Sequence, residues 1–557
     1  MNPANPLIVQ SNNTLFLEVN NDLYRPARDA VGVFAHLEKS PEFIHTYSIT
    51  PLSLWNAASL GLTAAGIIDR LETYSKYPVP PNVKTDINEL VGRYGKFTLE
   101  SFENDKLLLK SIDADQLHYL TLHPKVKPLL AEQLNERAFF VPAANRGILK
   151  QCFIGLGYPV QDLAGYVDGD PLPCALNETC RDNESFTIRE YQRHAAESFV
   201  GTDAQAGGSG VVVLPCGAGK TIVGLYVMSL LQRRTLILAT GVTAARQWRE
   251  ELIDKTSLKP EDIGEYSGET KEIKPVTIAT YQILTFRKRK KEDFIHFGIF
   301  NAENWGLIIY DEVHLLPAPV FKFTAEIQAR RRLGLTATLI REDGHEADVF
   351  SLIGPKKFDV PWKDLEKQGW IATARCREIR IDLPATEKLR YLSLTAREQI
   401  RTAYENPNKL PVVRDLLKRH LNDRVLIMGQ YLDQLHEFAR EFEMPIITGS
   451  TPNTERSELY QRFKVGQIST LILSKVGNFA VDLPDANVAI QISGSFGSRQ
   501  EEAQRLGRIL RPKKDGSQAI FYSIVTRESK ELDFAMKRQL FLAEQGYSYE
   551  IQFTEVE

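Results

Sequence analysis

The stretch Val211-Val-Val-Leu-Pro-Cys-Gly-Ala-Gly-Lys220-Thr221 constrains this chain more than any other. Its apolar start reads as a buried strand. A glycine-rich turn follows and closes on Lys-Thr, the pattern of a phosphate cradle. In such a turn, backbone N–H groups and the start of the next helix present partial positive charge to an anion. Lys220 can reach β- and γ-phosphates, and the Thr221 hydroxyl can hold Mg²⁺. The full pattern asks for Gly where Leu214 stands. The rival reading is an ordinary strand–turn–helix connection that needs Gly217 and Gly219 only for tight backbone angles.

A phosphate cradle binds nucleotide, but hydrolysis also needs an acid to hold metal and a group to orient water. Both occur in Leu307-Ile-Ile-Tyr-Asp311-Glu312-Val-His314. Four apolar residues make a strand with polar residues at its C-terminal end, where parallel α/β sheets place ligands. Asp311 is expected to bind Mg²⁺ and Glu312 to polarise the attacking water. Adjacent carboxylates at a buried strand end are costly unless a cation neutralises them. The rival reading is a helix N-terminus carrying acids.

A third segment, Gln504-Arg-Leu-Gly507-Arg508-Ile-Leu-Arg511, lies far downstream. On a helix, Gln504, Arg508 and Arg511 would share one face. Arginines in a row suit a γ-phosphate whose charge spreads during transfer. The rival is a solvated basic face. Gly507 in a helix interior argues against it, because Gly there costs about 1 kcal/mol relative to Ala and points to a close approach.

A chain of 557 residues with 43% hydrophobic and 25% charged residues is expected to form three or four domains. The net charge of −3 offers no bulk attraction to nucleic acid, so any such footprint must be local. Candidate patches are 287–291 and 330–332, though such a run is more often a solvated loop or face than a contact. Cys174 and Cys180 have poor zinc spacing. Without an apolar run long enough to span a bilayer, a cytoplasmic protein with no membrane contact is expected.

Residues 1–95 carry helical signals. Thr50-Pro51 and Thr63 cap two segments, Pro78–Pro81 breaks the second, and Thr85-Asp86 caps a third. Such helices suit a DNA-binding helix-turn-helix variant or a protein-docking or autoinhibitory module. Residues 96–182 read as a small α/β domain and linker, with strands at 106–110 and 138–141 and a helix at 123–135. Strand and helix signals alternate through 183–355 and again through 356–557, which argues two parallel sheets covered by helices. A helix-prone segment at 385–410 carries Arg390, Tyr391, Arg397 and Arg401.

The order Gln192, Gly217-Ala-Gly-Lys-Thr221, Asp311-Glu-Val-His314, Thr336-Ala-Thr338, Gln504-x-x-Gly507-Arg508-x-x-Arg511 resembles a superfamily 2 helicase. Arg341-Glu342-Asp343 is similar to the Arg-Glu-Asp motif of XPB-type DNA repair helicases, and the Asp-Glu-Val-His box looks XPB-like too. The resemblance is strong over about 185–530 and looser before it. It implies two tandem RecA-like parallel-sheet domains preceded by a helical N-terminal domain and a small α/β damage-recognition domain, with a thumb-like insert near 385–410. It makes Leu214 a family trait.

By resemblance, the chain is an ATP- and Mg²⁺-dependent 3′–5′ DNA helicase acting in repair. Gln192 reads adenine and Arg189 or Tyr191 stacks on it. Arg508 and Arg511 act as arginine fingers. Thr336 and Thr338 couple the nucleotide and DNA sites, and Gly477 and Asp482 belong to a motif touching both. Forked or damaged duplex, single strand and a nuclease or other repair protein are the implied partners of a monomer. A double-stranded DNA translocase that does not unwind, and a scaffold with a dead ATP site, are the alternatives.

Overall fold

The computed structural model describes residues 2–554 apart from 40–42, 103–105, 202–207, 288–293, 318–319, 321–323, 325–329, 338–345, 475–485, 495–498 and 511–517. Two compact units emerge. The first holds most of residues 1–359. The second holds 360–557 together with 39–41 and the loop residues 215–218.

The first unit contains three modules. In the N-terminal one, β1 (Leu7–Val9), β2 (Thr14–Glu18), β3 (His36–Lys39) and β4 (Ile44–Ser48) form a sheet in the order β1-β2-β4-β3. Helices α1 (Tyr24–Val31), α2 (Pro51–Ser59), α3 (Ala64–Tyr74) and α4 (Pro81–Val91) accompany it. The purely helical reading of 1–95 is therefore incomplete. The short strands alternate buried and half-exposed residues, a two-residue period that the helix caps overshadow in the sequence. Thr50 and Thr63 cap their helices as expected. The third helix begins at Pro81 rather than at Thr85, since Pro suits a first helical turn.

The small module has the sheet order β7-β8-β6-β5-β9. It is built from β5 (Phe97–Ser101), β6 (Lys106–Ser111), β7 (Gln133–Asn135), β8 (Ala138–Pro142) and β9 (Val160–Asp162), with α5 (Ala114–Thr121) and α6 (Arg146–Gly155). The helix expected over 123–135 does not form. Asp113 caps α5 ten residues earlier by accepting from Gln116 N, and Pro124 and Pro128 interrupt the later stretch. The Pro- and Asn-rich linker is tied down, for Asn177 Nδ2 donates to the Asp254 and Thr256 carbonyls.

The third module is a fully parallel seven-stranded sheet ordered β12-β13-β11-β14-β15-β10-β16. Its strands are β10 (Ser209–Val213), β11 (Thr235–Ala239), β12 (Ile263–Tyr266), β13 (Val276–Thr280), β14 (Leu307–Asp311), β15 (Arg331–Thr336) and β16 (Lys356–Asp359). Helices α7 (Glu190–Val200), α8 (Lys220–Leu231), α9 (Val242–Lys255), α10 (Tyr281–Leu284) and α11 (Glu346–Leu352) complete it. The central strands β11 and β14 are largely apolar and buried, as a sheet covered on both faces requires.

The second unit repeats the design in the order β19-β20-β18-β21-β22-β17-β23. These strands are β17 (Ala374–Ile381), β18 (Val425–Met428), β19 (Ile446–Ile447), β20 (Thr470–Leu473), β21 (Val488–Gln491), β22 (Ala519–Thr526) and β23 (Tyr549–Phe553). Its helices are α12 (Trp362–Lys367), α13 (Ala385–Tyr391), α14 (Ala396–Tyr404), α15 (Lys409–Arg419), α16 (Leu432–Glu441), α17 (Asn453–Lys464), α18 (Arg499–Gly507) and α19 (Lys530–Glu544). The 385–410 segment thus forms α13 and α14. Thr526 Oγ1 donates to the Ala403 carbonyl, fastening α14 to the sheet. Leu389 and Leu392 are 85% and 84% exposed. Among the described residues, no single helix is long and apolar enough to cross a membrane.

Candidate active site

Strand β10 runs into the turn that ends at Lys220. Gly217 and Gly219 have φ of 80° and 79°, a region that side chains with a Cβ rarely enter. Gly219 is the N-cap of α8. A Cβ there would lie 2.5 Å from Gln192 Nε2, so glycine also makes room for that amide. Gln192 Oε1 accepts from Arg189 N at 3.1 Å, which fixes the amide's orientation. Tyr191 is 8% exposed and accepts from Arg189 Nη1 at 3.1 Å. Its ring is packed into the fold rather than presented for stacking.

Lys220 Nζ lies 3.1 Å from Glu312 Oε1, with the two side chains 11% and 18% exposed. Glu312 has φ of 48°, a left-handed conformation that turns the chain sharply after β14. Such strain in a non-glycine residue marks functional turns. Burial pushes the Glu312 carboxyl up, but Lys220 and His314 outweigh it and the net shift is downward. Asp311 is shifted the other way, raised by burial and by the neighbouring Glu312 charge.

Two further groups hold Asp311, and sequence reasoning missed both. Trp248 Nε1 donates to Asp311 Oδ2 at 3.0 Å, and Tyr281 Oη donates to the Asp311 carbonyl at 2.8 Å. Trp248 reaches its position over Gly224, where a Cβ would lie 2.6 Å from the indole ring. A glycine inside α8 was the available signal, because it is otherwise unfavourable in a helix.

Glu312 Oε2 is buried without a hydrogen-bond partner among the described residues. A buried carboxylate oxygen outside any hydrogen bond, beside a second carboxylate whose pKa its neighbour's charge raises, can accept a cation. With the hydroxyl of Thr221, the residue after Lys220, the donor set is all oxygen and fits a hard divalent cation such as Mg²⁺.

His314 follows Glu312 on a short 3₁₀ turn. Its Nδ1 sits 2.6 Å from Thr336 Oγ1 and 3.5 Å from Glu312 Oε2. Thr336 ends β15 and is fully buried, and its carbonyl accepts from Leu214 N at 3.0 Å. Thr336 therefore touches the strand leading to the phosphate turn directly and Glu312 through His314.

The phosphate turn, the paired acids and the histidine beside them lie together in the first unit, and similarity to known proteins gives the chain's lineage. Residues 365–556 match a family model described as ERCC3/RAD25/XPB C-terminal helicase. Residues 185–341 match one described as type III restriction enzyme, res subunit, and 7–135 match a helicase conserved C-terminal domain. A DNA 3′-5′ helicase XPB from Mycobacterium tuberculosis is 51% identical, over 98% of this chain and 97% of the relative. The chain belongs to the XPB helicase family. A DNA 3′-5′ helicase XPB from Kineococcus radiotolerans is 50% identical, over 98% of this chain and 96% of the relative. The general transcription and DNA repair factor IIH helicase/translocase subunit XPB of Enterocytozoon bieneusi is 33% identical, over 98% and 92%.

In this XPB-family chain, the second unit corrects one detail of the Gln504–Arg511 reading. Helix α18 ends at Gly507, and Arg508 follows in a turn, its N bonding the Arg505 carbonyl at 3.3 Å. Gln504 and Arg508 therefore do not share one continuous helix face. Glycine is a common helix terminator. The close approach expected at Gly507 is present, since a Cβ there would collide with the Cys216 side chain. Gln504 is 7% exposed and its Oε1 has no hydrogen-bond partner among the described residues.

A buried polar network sets α18 on its sheet. Gln491 Nε2 donates to Glu502 Oε2 at 2.9 Å, and Arg505 Nη1 donates to Gln491 Oε1 and the Ser493 carbonyl. Arg538 of α19 lies 3.4 Å from the same Glu502.

The Arg330–Arg332 patch is turned inward. Arg332 is 1% exposed and donates to the Leu352 carbonyl. Arg331 pairs with Asp168 at 2.9 Å. Neither is a free basic surface. Thr338, Arg341, Glu342, Asp343, Gly477, Asp482, Arg511 and most of the 287–291 patch lie outside the described residues.

Proposed function

We propose that the chain uses ATP hydrolysis to move 3′ to 5′ along one DNA strand and separate the duplex. The observation that carries this is the Lys220–Glu312 contact, joined through His314 to Thr336. The relatives named DNA 3′-5′ helicase XPB align along almost the whole chain.

Incoming β- and γ-phosphates compete with Glu312 for Lys220. When Lys220 turns to them, Glu312 loses the partner that depresses its pKa and becomes a stronger base. It then orients a water and accepts its proton. The base is thus strongest when a substrate is present. Asp311 and Thr221 would hold Mg²⁺, which when bound would supply charge neutralisation to the phosphate oxygens. Gln192 reads the adenine edge through an amide that can both donate and accept, with Arg189 beside it.

Arg508 and Arg511 supply positive charge to the transferring phosphoryl group, and Gln504 and Gly507 support them. Thr336 and Thr338 pass the hydrolytic state to the DNA-contacting segments. We assign Arg341, Glu342 and Asp343 to strand separation, and Gly477 and Asp482 to backbone contact. The α13–α14 segment, with Arg390, Arg397 and exposed Leu389 and Leu392, serves as the thumb that grips a strand. Residues 1–95 and 96–182 dock DNA or a repair partner such as a nuclease. We assign a monomer acting in the cytoplasm.

A fluorescent forked duplex tests this. Strand release should require ATP and a 3′ single-stranded tail. Release from a 5′ tail alone would refute the polarity. Triplex displacement without strand release would favour translocation on duplex DNA; the Enterocytozoon relative's name includes translocase beside helicase.

A further inference from the structure

Arg538 of α19 belongs to none of the helicase-like motifs, yet it is 1% exposed and stands between two elements of the proposed mechanism. On one side its Nε is 3.4 Å from Glu502 Oε2 of α18. On the other its Nη1 donates at 3.3 Å to the hydroxyl of Tyr404, the last residue of α14. Tyr404 is fully buried, and its carbonyl accepts from Gln434 Nε2 at 2.7 Å. Glu502 also accepts from Tyr549 Oη at 3.2 Å. The guanidinium thus joins the end of α14 to α18 inside the core of the second unit.

The surrounding backbone is shaped to admit it. A Cβ on Gly494, just beyond β21, would lie 2.2 Å from Arg538 Cζ. Gly494 is not among the residues of positive φ, so glycine there serves the guanidinium rather than a turn. A second buried pair holds α19 in place. Lys409 Nζ of α15 donates to both Glu531 oxygens at 2.7 and 2.9 Å, and Glu531 Oε2 accepts from Thr526 N at 3.0 Å. Arg538 therefore works from a fixed base. A buried ion pair adds little net stability over apolar side chains of the same volume. What an arginine supplies that an apolar side chain does not is direction, because its planar fork meets two partners only while they keep one relative position.

We propose that Arg538 is a positioning residue that passes the placement of α14 to α18, and so sets Arg508 when α13 and α14 engage a DNA strand. This rests on the assignments of Arg508 to the phosphoryl group and of α13–α14 to strand gripping. A shift of α14 carries the Tyr404 hydroxyl with it. The guanidinium follows, and Glu502 transmits the change to α18, which ends at Gly507 immediately before Arg508. Arg538 acts through Glu502 and not on the nucleotide.

Steady-state ATP hydrolysis by the full chain, with and without a forked duplex, tests the proposal. Tyr404→Phe removes one hydroxyl and keeps the ring. Arg538→Lys keeps a cation beside Glu502 and loses the fork. Each should lower the ratio of DNA-stimulated to basal kcat by about fivefold, with KM for ATP unchanged. The double variant should lose no more than either single variant, since both break one link. Should Arg538→Lys not melt cooperatively, Glu502→Gln takes its place in the same cycle. An unchanged ratio in Tyr404→Phe, equal losses with and without DNA, or additive losses in the double variant would each overturn the coupling while leaving the helicase reading intact. Wild-type turnover that DNA does not stimulate would refute the helicase reading, and the coupling with it.

Discussion

Lys220, at the start of α8, and Glu312, just after β14, hold each other at 3.1 Å. Each is the other's stand-in for substrate. Lys220→Ala should therefore leave Glu312 with a buried, uncompensated charge as well as remove a phosphate ligand. ATP binding and hydrolysis should both fall, hydrolysis by at least about 100-fold. Nucleotide titration and a turnover assay on folded protein check this.

Trp248→Phe keeps a ring over Gly224 but removes the hydrogen bond to Asp311 Oδ2. That bond favours the ionised acid. Its loss raises the Asp311 pKa further, so the working carboxylate is lost at a higher pH. The acidic limb of the ATPase pH profile should move up by about one unit, with activity recovering at alkaline pH. A uniform loss at every pH would mean that the indole acts only by packing.

Asp311→Asn should stabilise the nucleotide-free protein at neutral pH while destroying catalysis. The folded pKa of Asp311 is raised, first by burial and then by Glu312. The native state thus binds more protons than the unfolded state between the two pKa values, and stability falls as pH rises through them. Asn carries no such penalty. Denaturant unfolding should show the variant more stable by on the order of 1 kcal/mol near pH 7. The difference should vanish by about pH 3, below the ordinary aspartate value of 3.8.

Much of this was legible in the sequence because the chemistry sits at strand ends. The apolar runs 235–239 and 425–428 match β11 and β18 residue for residue. Lys220, Asp311 and Glu312 meet because parallel strands deliver their C-terminal residues to one edge. Strands β1–β4 were hidden, since short half-buried strands carry only a few alternating residues. Trp248 and Tyr281 were hidden for a different reason. Their roles depend on which helices cover β14, and that is settled by packing across the sheet, as with Trp248 against Gly224. The inward turn of Arg332 was equally out of reach, because it depends on the Leu352 carbonyl and the Tyr166 ring, both remote in sequence.

Thr336→Val conserves volume but removes the hydroxyl 2.6 Å from His314 Nδ1. Basal ATP hydrolysis should persist within a few-fold. Stimulation by DNA should drop by about 10-fold, in keeping with about 1–2 kcal/mol for an orphaned buried polar group. Equal losses with and without DNA would place Thr336 in the hydrolytic step itself.

Glu312→Gln puts the whole reading at risk in one assay. It keeps the side-chain shape beside Lys220 while removing the base. The variant should bind ATP and forked DNA as the wild type does, hydrolyse at least about 100-fold more slowly, and release no strand. Turnover and strand release near wild-type rates would contradict a hydrolytic centre at Lys220, Asp311 and Glu312.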